Sequence, residues 1–466
     1  MPDSSSPEFK RSLGLLDATM IVVGSMIGSG IFIVSADITR NVGSAGWLIL
    51  VWILTGVLTL TAALSYGELS GMFPKAGGQY VYLKEAFNPL TGFLFGWSFF
   101  SVIQAGSIAA VGVAFGKFTA FVFPGLKDKT QLTAIVLIVV LTWINSRGVK
   151  AGKWIQTSFT LAKIVSLAGL VIFGFLLAGR SDIAAANWHT GFRLERLDAT
   201  GQLLPYIGFA GLGAIAGSMV GSLFSSDSWN NVTFIAGEIK RPERNIGMSL
   251  FLGTMIVTVI YVATNFMYIY VLPIHDIAFA ENDRVGVVAS QHIFGDSGTK
   301  VIAVLLMVST FGCNNGLILS GARVYYTMAR DGLFFRQAGV LNKNAVPGRA
   351  LWMQCVWASL LCLSGKYGDL LDYVIFVVLI FYILTIIGIF RLRRTKPNLP
   401  RPYKAFGYPV LPMMYIILAS CICLLLLIYK PKYTWPGLGI VVLGIPLYYF
   451  LRDRIISSPR PRSDTN

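Results

Sequence analysis

The chain has 466 residues, of which 55% are hydrophobic and 13% charged. A soluble domain carries about 25% charge, so soluble enzymes are excluded, as are disordered and collagen-like chains. The net charge of +16, from 38 Lys and Arg against 22 Asp and Glu, sits in short segments between apolar runs and forms no aromatic-interleaved basic stripe of the kind that binds nucleic acid.

A membrane crossing takes about 20 mostly apolar residues. Twelve runs qualify, near 15–38, 46–70, 90–123, 131–147, 155–178, 206–238, 248–273, 299–329, 350–365, 370–390, 409–429 and 434–451. The expected fold class is an all-α integral membrane protein with twelve transmembrane helices. The polar stretch from Met1 to Lys10 lacks the basic start and cleavage site of a signal peptide, so the first run is expected to be retained.

The first span contains Gly24-Ser-Met-Ile27-Gly28-Ser29-Gly30-Ile-Phe. Two glycines bracketing a serine at mid-depth weaken a helix. The Gly24/Gly28 spacing would also serve close helix packing. Gln104 in the third span either meets a substrate side chain or bridges helices.

Lys163 lies within the fifth span, and a charge at that depth is expensive and functional by default. Ten residues, about 15 Å of helix, separate it from Lys153 at the inner end, too far to snorkel out. Its ammonium is expected to donate to backbone carbonyls of a broken first helix, where a fixed charge replaces a coupling cation.

The sixth span carries Gly221-Ser-Leu-Phe224-Ser225-Ser226-Asp227-Ser228-Trp229-Asn230-Asn231. Such a stretch cannot face lipid, because its backbone would go unsatisfied there, but it can line a cavity. Asp227 is the acid at mid-span. The first and sixth spans are five apart, an odd offset that inverts one half relative to the other. Paired broken helices in inverted halves mark a transporter's binding site. A helix restarting near Gly30 presents free N–H groups and a positive dipole end to a carboxylate. A half-helix ending near Phe224 offers free carbonyls to an ammonium. Together they fit a zwitterion, an α-amino acid. In the eighth span Asn314 and Asn315 pose the same alternative as Gln104.

Sidedness follows from the basic residues. With the N-terminus inside, Lys and Arg favour the inner side about two to one, in clusters such as Arg391 to Lys404. Both termini are therefore expected in the cytoplasm, with Glu68 and Glu238 near inner span ends, either ion-paired or solvated. His189, His275 and His292 fall in outer loops without metal-ligand spacing, and no G-x-x-x-x-G-K-[ST] phosphate loop occurs. No metal and no cofactor is expected.

Together these motifs resemble the amino acid–polyamine–organocation superfamily, and within it the L-type amino acid transporter family, near its bacterial serine/threonine exchangers. The resemblance covers about residues 12–450. It rests on the glycine motif above, Phe73-Pro-Lys-Ala-Gly-Gly-Gln-Tyr-Val-Tyr, Trp229-Asn with Glu238-Ile-Lys-Arg-Pro-Glu-Arg-Asn, Phe311-Gly-Cys-Asn-Asn-Gly, and Arg391-Leu-Arg-Arg-Thr-Lys-Pro before Arg401-Pro-Tyr. It implies a leucine-transporter-like fold with a 5+5 inverted repeat and broken first and sixth helices. The repeats would span 15–178 and 206–390, with two additional helices at 409–451 and cytoplasmic tails at 1–14 and 452–466.

The resemblance further implies sodium-independent exchange of neutral L-amino acids in a bacterial inner membrane. Carried over, Ile27, Gly28, Ser29 and Gly30 bind the substrate carboxylate. Phe224, Ser225 and Ser226 meet the amino group, and Lys163 stands in for sodium. Ser225 and Ser226 replace a frequent Ala-Tyr pair, making the pocket smaller or more polar. Ser228 replaces a frequent glycine. No cysteine lies near Lys127-Asp-Lys, so no disulfide-linked heavy chain is expected. Rival readings are a proton-coupled symporter using Asp227 or Lys163, a cationic amino acid or polyamine transporter using Asp227, and a non-transporting sensor.

Overall fold

The computed structural model describes residues 9, 11–364 and 367–456. The tails at 1–14 and 452–466 lie mostly outside the described residues. Helices follow one another as α1 (Leu15–Met26), α2 (Gly30–Val42), α3 (Ala45–Met72), α4 (Gln79–Ala86), α5 (Pro89–Ser98), α6 (Gln104–Val122), α7 (Thr130–Ser146), α8 (Val149–Leu177), α9 (Ser181–Trp188), α10 (Ala210–Ser225), α11 (Asn231–Phe234), α12 (Pro242–Val271), α13 (Ile274–Ala278), α14 (Val285–Arg330), α15 (Gly348–Ser364), α16 (Tyr367–Thr395), α17 (Val410–Tyr429) and α18 (Pro431–Ile456). A π-helical turn at Phe99–Ile103 joins α5 to α6 as one span. A short antiparallel ribbon pairs Glu195–Leu197 with Leu203–Pro205 between α9 and α10, and an isolated parallel bridge joins Leu13 to Ile239.

Among the described residues nine helices are long and apolar enough to cross a bilayer, and ten if the bent pair α1 and α2 counts as one. The other two expected spans are shorter. Helix α10 has 16 residues and α15 has 17, below the roughly 20 of a full crossing. The sixth run does not continue as one helix to residue 238. Its polar stretch takes the chain out of helix at Ser225 and resumes only in the single turn of α11.

The exposed faces identify the solvent. On α7, Leu132, Val136, Val139 and Trp143 are all exposed at three- and four-residue spacing, which forms one helical stripe. On α8, Leu161, Val165, Ile172 and Leu176 are exposed at four- and seven-residue spacing, again along one face. Apolar stripes of this extent are covered by lipid, not water. This is an all-helical integral membrane protein.

Inside, α3 packs along α12, α6 and α8 along α14, α1 along α12, and α2 along α10. Local chemistry fixes several ends. Asn88 caps α5 by accepting from Thr91 N at 2.9 Å, with Pro89 at the first helical position, where its missing N–H costs nothing. Helix α14 is interrupted at Gly295, which has φ 68° and ψ −168°.

Candidate functional site

Three residues, Ile27, Gly28 and Ser29, separate α1 from α2, and the two axes differ by 42°. Ile27 is extended, with φ −72° and ψ 95°. A helix that ends inside a membrane leaves its last carbonyls without partners, and nothing in lipid can supply them. Here side chains from three other helices do so. Lys163 on α8 donates through Nζ to Gly24 O at 2.7 Å and to Ile27 O at 2.8 Å. Cys313 on α14 donates to Ser25 O at 3.0 Å. One turn earlier, Ser309 donates to Gly28 O at 3.3 Å and lies 3.5 Å from Ile27 O. Tyr261 on α12 lies 3.1 Å from both Met26 O and Ser225 O, so its single hydroxyl proton is shared between the first break and the second.

The break is thus a designed opening, with every carbonyl from Gly24 to Gly28 received. The hydrogen bonds expected of Lys163 are present, and its side chain is buried between α8 and the break. On the far side of the break, α2 begins against the end of α10. A methyl group on Gly30 would overlap Ser225 Oγ and lie 2.6 Å from Ser225 Cβ and 3.0 Å from its Cα. Only a residue without a Cβ lets the two helix ends approach so closely. The N-terminus of one half-helix and the C-terminus of the other therefore meet at Gly30 and Ser225.

The second break runs from Ser226 to Asn230. Ser226 N donates to Ser222 O at 3.0 Å and Asp227 N to Phe224 O at 3.1 Å, which completes the last turn of α10. Ser228 follows at φ 66°, in the left-handed region that disfavours a side chain. The unwound stretch is therefore held in a specific, mildly strained shape. Ile27, Ser29, Ser225, Ser226 and Asp227 are buried, and Phe224 is half-buried.

Asp227 reaches α16, where its Oδ1 accepts from the Tyr382 hydroxyl at 2.6 Å. Trp229 packs beside that pair, its ring 4.8 Å from Tyr66 and 5.2 Å from Tyr382. Asn230 donates to Gln79 Oε1 at 3.0 Å, and Gln79 in turn donates to Thr385 at 3.0 Å. A small cavity lies between these groups and is lined by Asp227, Tyr382, Asn230, Gln79 and Gln104 among others.

The structure brings Ile27, Gly28, Ser29, Gly30, Lys163, Phe224, Ser225 and Ser226 to the facing breaks, with Asp227 at the edge. Gln104 borders the cavity, but its amide donates to Leu317 O at 2.6 Å. Asn314 donates to Ile108 O at 3.2 Å and bridges α14 to α6. Sequence reasoning missed Tyr261, Ser309, Cys313 and Tyr382. Ser309 and Cys313 share one face of α14, a four-residue spacing visible in the sequence, but nothing local tells which helix that face meets. Glu68 and Glu238 are ion-paired and buried, Glu68 to Arg393 at 2.7 Å and Glu238 to Arg323 at 3.0 Å.

A family model described as amino acid permease matches residues 13–445. The chain is 29% identical over 446 residues to the large neutral amino acids transporter small subunit 2 of Mus musculus, covering 94% of this chain and 81% of that one. It is 28% identical over 447 residues to the b(0,+)-type amino acid transporter 1 of Mus musculus, covering 95% and 88%. It is 29% identical over 448 residues to the serine/threonine exchanger SteT of Bacillus subtilis (strain 168), covering 96% and 98%.

Proposed function

The chain belongs to the amino acid permease family, and from that premise we propose a sodium-independent exchanger of neutral L-amino acids that works by alternating access. It is a transporter and not an enzyme. The observation that carries the mechanism is the Lys163 ammonium on the carbonyls of Gly24 and Ile27. A fixed cation already fills the place where a mobile one would neutralise these oxygens, so transport needs no sodium.

The substrate carboxylate sits at the start of α2, against the backbone of Ile27, Gly28, Ser29 and Gly30, where first-turn amides and the positive dipole end converge. The α-ammonium meets the carbonyl end of α10 at Phe224, Ser225 and Ser226. Phe224, half-buried above the site, closes it from outside. Tyr261 couples the two breaks, so a substrate that bridges them draws both half-helices together.

The architecture we assign has twelve spans, with inverted repeats at 15–178 and 206–390 and two further helices at 409–451. It is supported by which helices pair. The broken spans pack together through α2 and α10, the second spans through α3 and α12, and the third spans through α6 and α14. An internal two-fold axis in the membrane plane would produce those pairings. Both tails are cytoplasmic, and the membrane is the inner membrane of a bacterium. The 123–130 loop carries no cysteine, so no disulfide-linked heavy chain is bound there.

The test is exchange in liposomes. Labelled serine, threonine, alanine or leucine should enter in sodium-free buffer only when unlabelled amino acid is trapped inside. Uptake into empty vesicles driven by a pH gradient would replace exchange with proton symport. One observation favours a second reading. The Asp227 carboxylate, buried beside the breaks, has the Tyr382 hydroxyl as its hydrogen-bond partner, and a cationic amino acid or polyamine would neutralise it. Competition by lysine or ornithine that disappears in Asp227→Asn would establish that reading.

A further inference from the structure

The inner floor of the molecule is built from segments that the substrate site does not use. The Phe73-to-Gly78 turn between α3 and α4 lies against the end of α11, with Gly77 N donating to Phe234 O at 3.0 Å. Gly78 has φ 45°, and a methyl there would overlap Thr233 Oγ1. The residues before α1 pair with those after α11. Ser12 N and Leu13 N donate to Glu238 O at 2.9 and 3.0 Å, and Lys240 N donates to Leu13 O at 2.8 Å. The inner ends of both broken spans are therefore joined by backbone bonds around Glu238.

Against this joined unit stands the inner end of α14. Thr327 donates to Ala76 O at 3.2 Å, and Asp331 accepts from the Tyr80 hydroxyl at 2.8 Å and from Lys84 at 2.5 Å. At the centre Arg323 Nε donates to Glu238 Oε1 at 3.0 Å, with both residues buried. Arg323 Nη1 donates to Leu319 O. Among the described residues, Glu238 Oε2 and Arg323 Nη2 have no hydrogen-bond partner.

We propose that Arg323 and Glu238 form the releasable latch of an inner gate, holding the joined inner ends of the two broken spans against α14. The inference rests on the alternating-access reading above. Its physical basis is the half-met state of the pair. A buried ion pair repays its desolvation only when its remaining donors and acceptors are also satisfied. Glu68 is such a permanent clamp. Its two oxygens accept from Arg393 at 3.0 and 2.7 Å, and Ala405 N donates to it at 2.7 Å. Glu238 and Arg323 are not so served. Their contact is specific to one arrangement yet contributes little net stability, and both charges regain water when the floor parts. Two states close in free energy are what a gate requires.

The test uses two single-cysteine reporters in a background with Cys313 replaced by serine, which keeps a donor for Ser25 O, and the other four native cysteines replaced by alanine. Ala236→Cys reports the buried inner floor and Ala280→Cys the outer side. N-ethylmaleimide labelling is followed in proteoliposomes. Arg323→Gln and Glu238→Gln should each raise the inner labelling rate at least tenfold and leave the outer rate unchanged or slower. Should Arg323→Gln fail to fold, Arg323→Lys and Glu238→Gln carry the same comparison. An unchanged inner rate overturns the latch. An equal rise at both reporters also overturns it, because that is general loosening. Labelling needs no transport, so this outcome is independent of the liposome exchange that tests the function itself.

Discussion

Removing the Lys163 ammonium is the sharpest perturbation of the first break. It donates two charge-assisted bonds, to Gly24 O and Ile27 O. Such bonds contribute about 1.5–3 kcal/mol each. Lys163→Met keeps much of the volume and removes both donors. Ile27 O retains Ser309 nearby at 3.5 Å, but Gly24 O loses its side-chain donor. The variant is also relieved of the desolvation of a buried charge, so global stability should change little. The geometry of the break should change much more. A loss of about 3 kcal/mol in the competent conformation corresponds to about a hundredfold fall in rate. The assay is the initial rate of serine or threonine exchange in sodium-free liposomes, alongside the melting temperature in detergent. We expect a hundredfold or greater loss of exchange with near-normal melting. Exchange within threefold of the unsubstituted chain would refute the role given to Lys163.

Three further outcomes are expected. Gly30→Ala places a methyl 2.6 Å from Ser225 Cβ, forcing the helix ends apart by about 1 Å, and a misplacement of that size costs about a hundredfold in rate. Adding Ser225→Gly should return part of the exchange, and full activity of Gly30→Ala alone would contradict the close approach. Tyr382→Phe removes the 2.6 Å donor to Asp227, a loss of about 1.5–3 kcal/mol at the edge of the site, and should raise the KM for exchange about tenfold or more. An unchanged KM would detach that pair from substrate binding. Glu68→Gln weakens the clamp on Arg393 and the α16–α17 connection. It should lower unfolding stability by about 2–3 kcal/mol, less than a fully buried pair because Arg393 is partly exposed. Thermal melting in detergent reads this directly.

The membrane character, the approximate spans and the weak points in the first and sixth were legible in the residues themselves. Apolar length, the lone Lys163 and the polar run from Ser225 to Asn231 are local facts, and lipid imposes one consequence on each. The broken first span was readable for the same reason, since Gly28-Ser29-Gly30 cannot hold a regular helix at mid-depth. The end of α10 was legible too, since a half-helix was expected to stop near Phe224 and α10 ends at Ser225. Less legible was the rest of the sixth run, where Ser228 adopts a left-handed conformation and helix resumes only in the single turn of α11.

The partners of the break could not be read in the same way. Cys313, Ser309 and Tyr261 look like ordinary small or aromatic residues of apolar helices, and only α14 and α12 lying beside α1 turns them into donors for its carbonyls. The same holds for Asn314, whose amide serves α6, and for Glu68 and Glu238, whose cationic partners stand 325 and 85 residues away. Sequence by itself determined where backbone groups would lack partners, because helix propensity and hydrophobicity act within a few residues. Tertiary structure alone decided which side chains supply those partners, because a hydrogen bond is set by distance in space, and packing brings together residues that the chain keeps far apart.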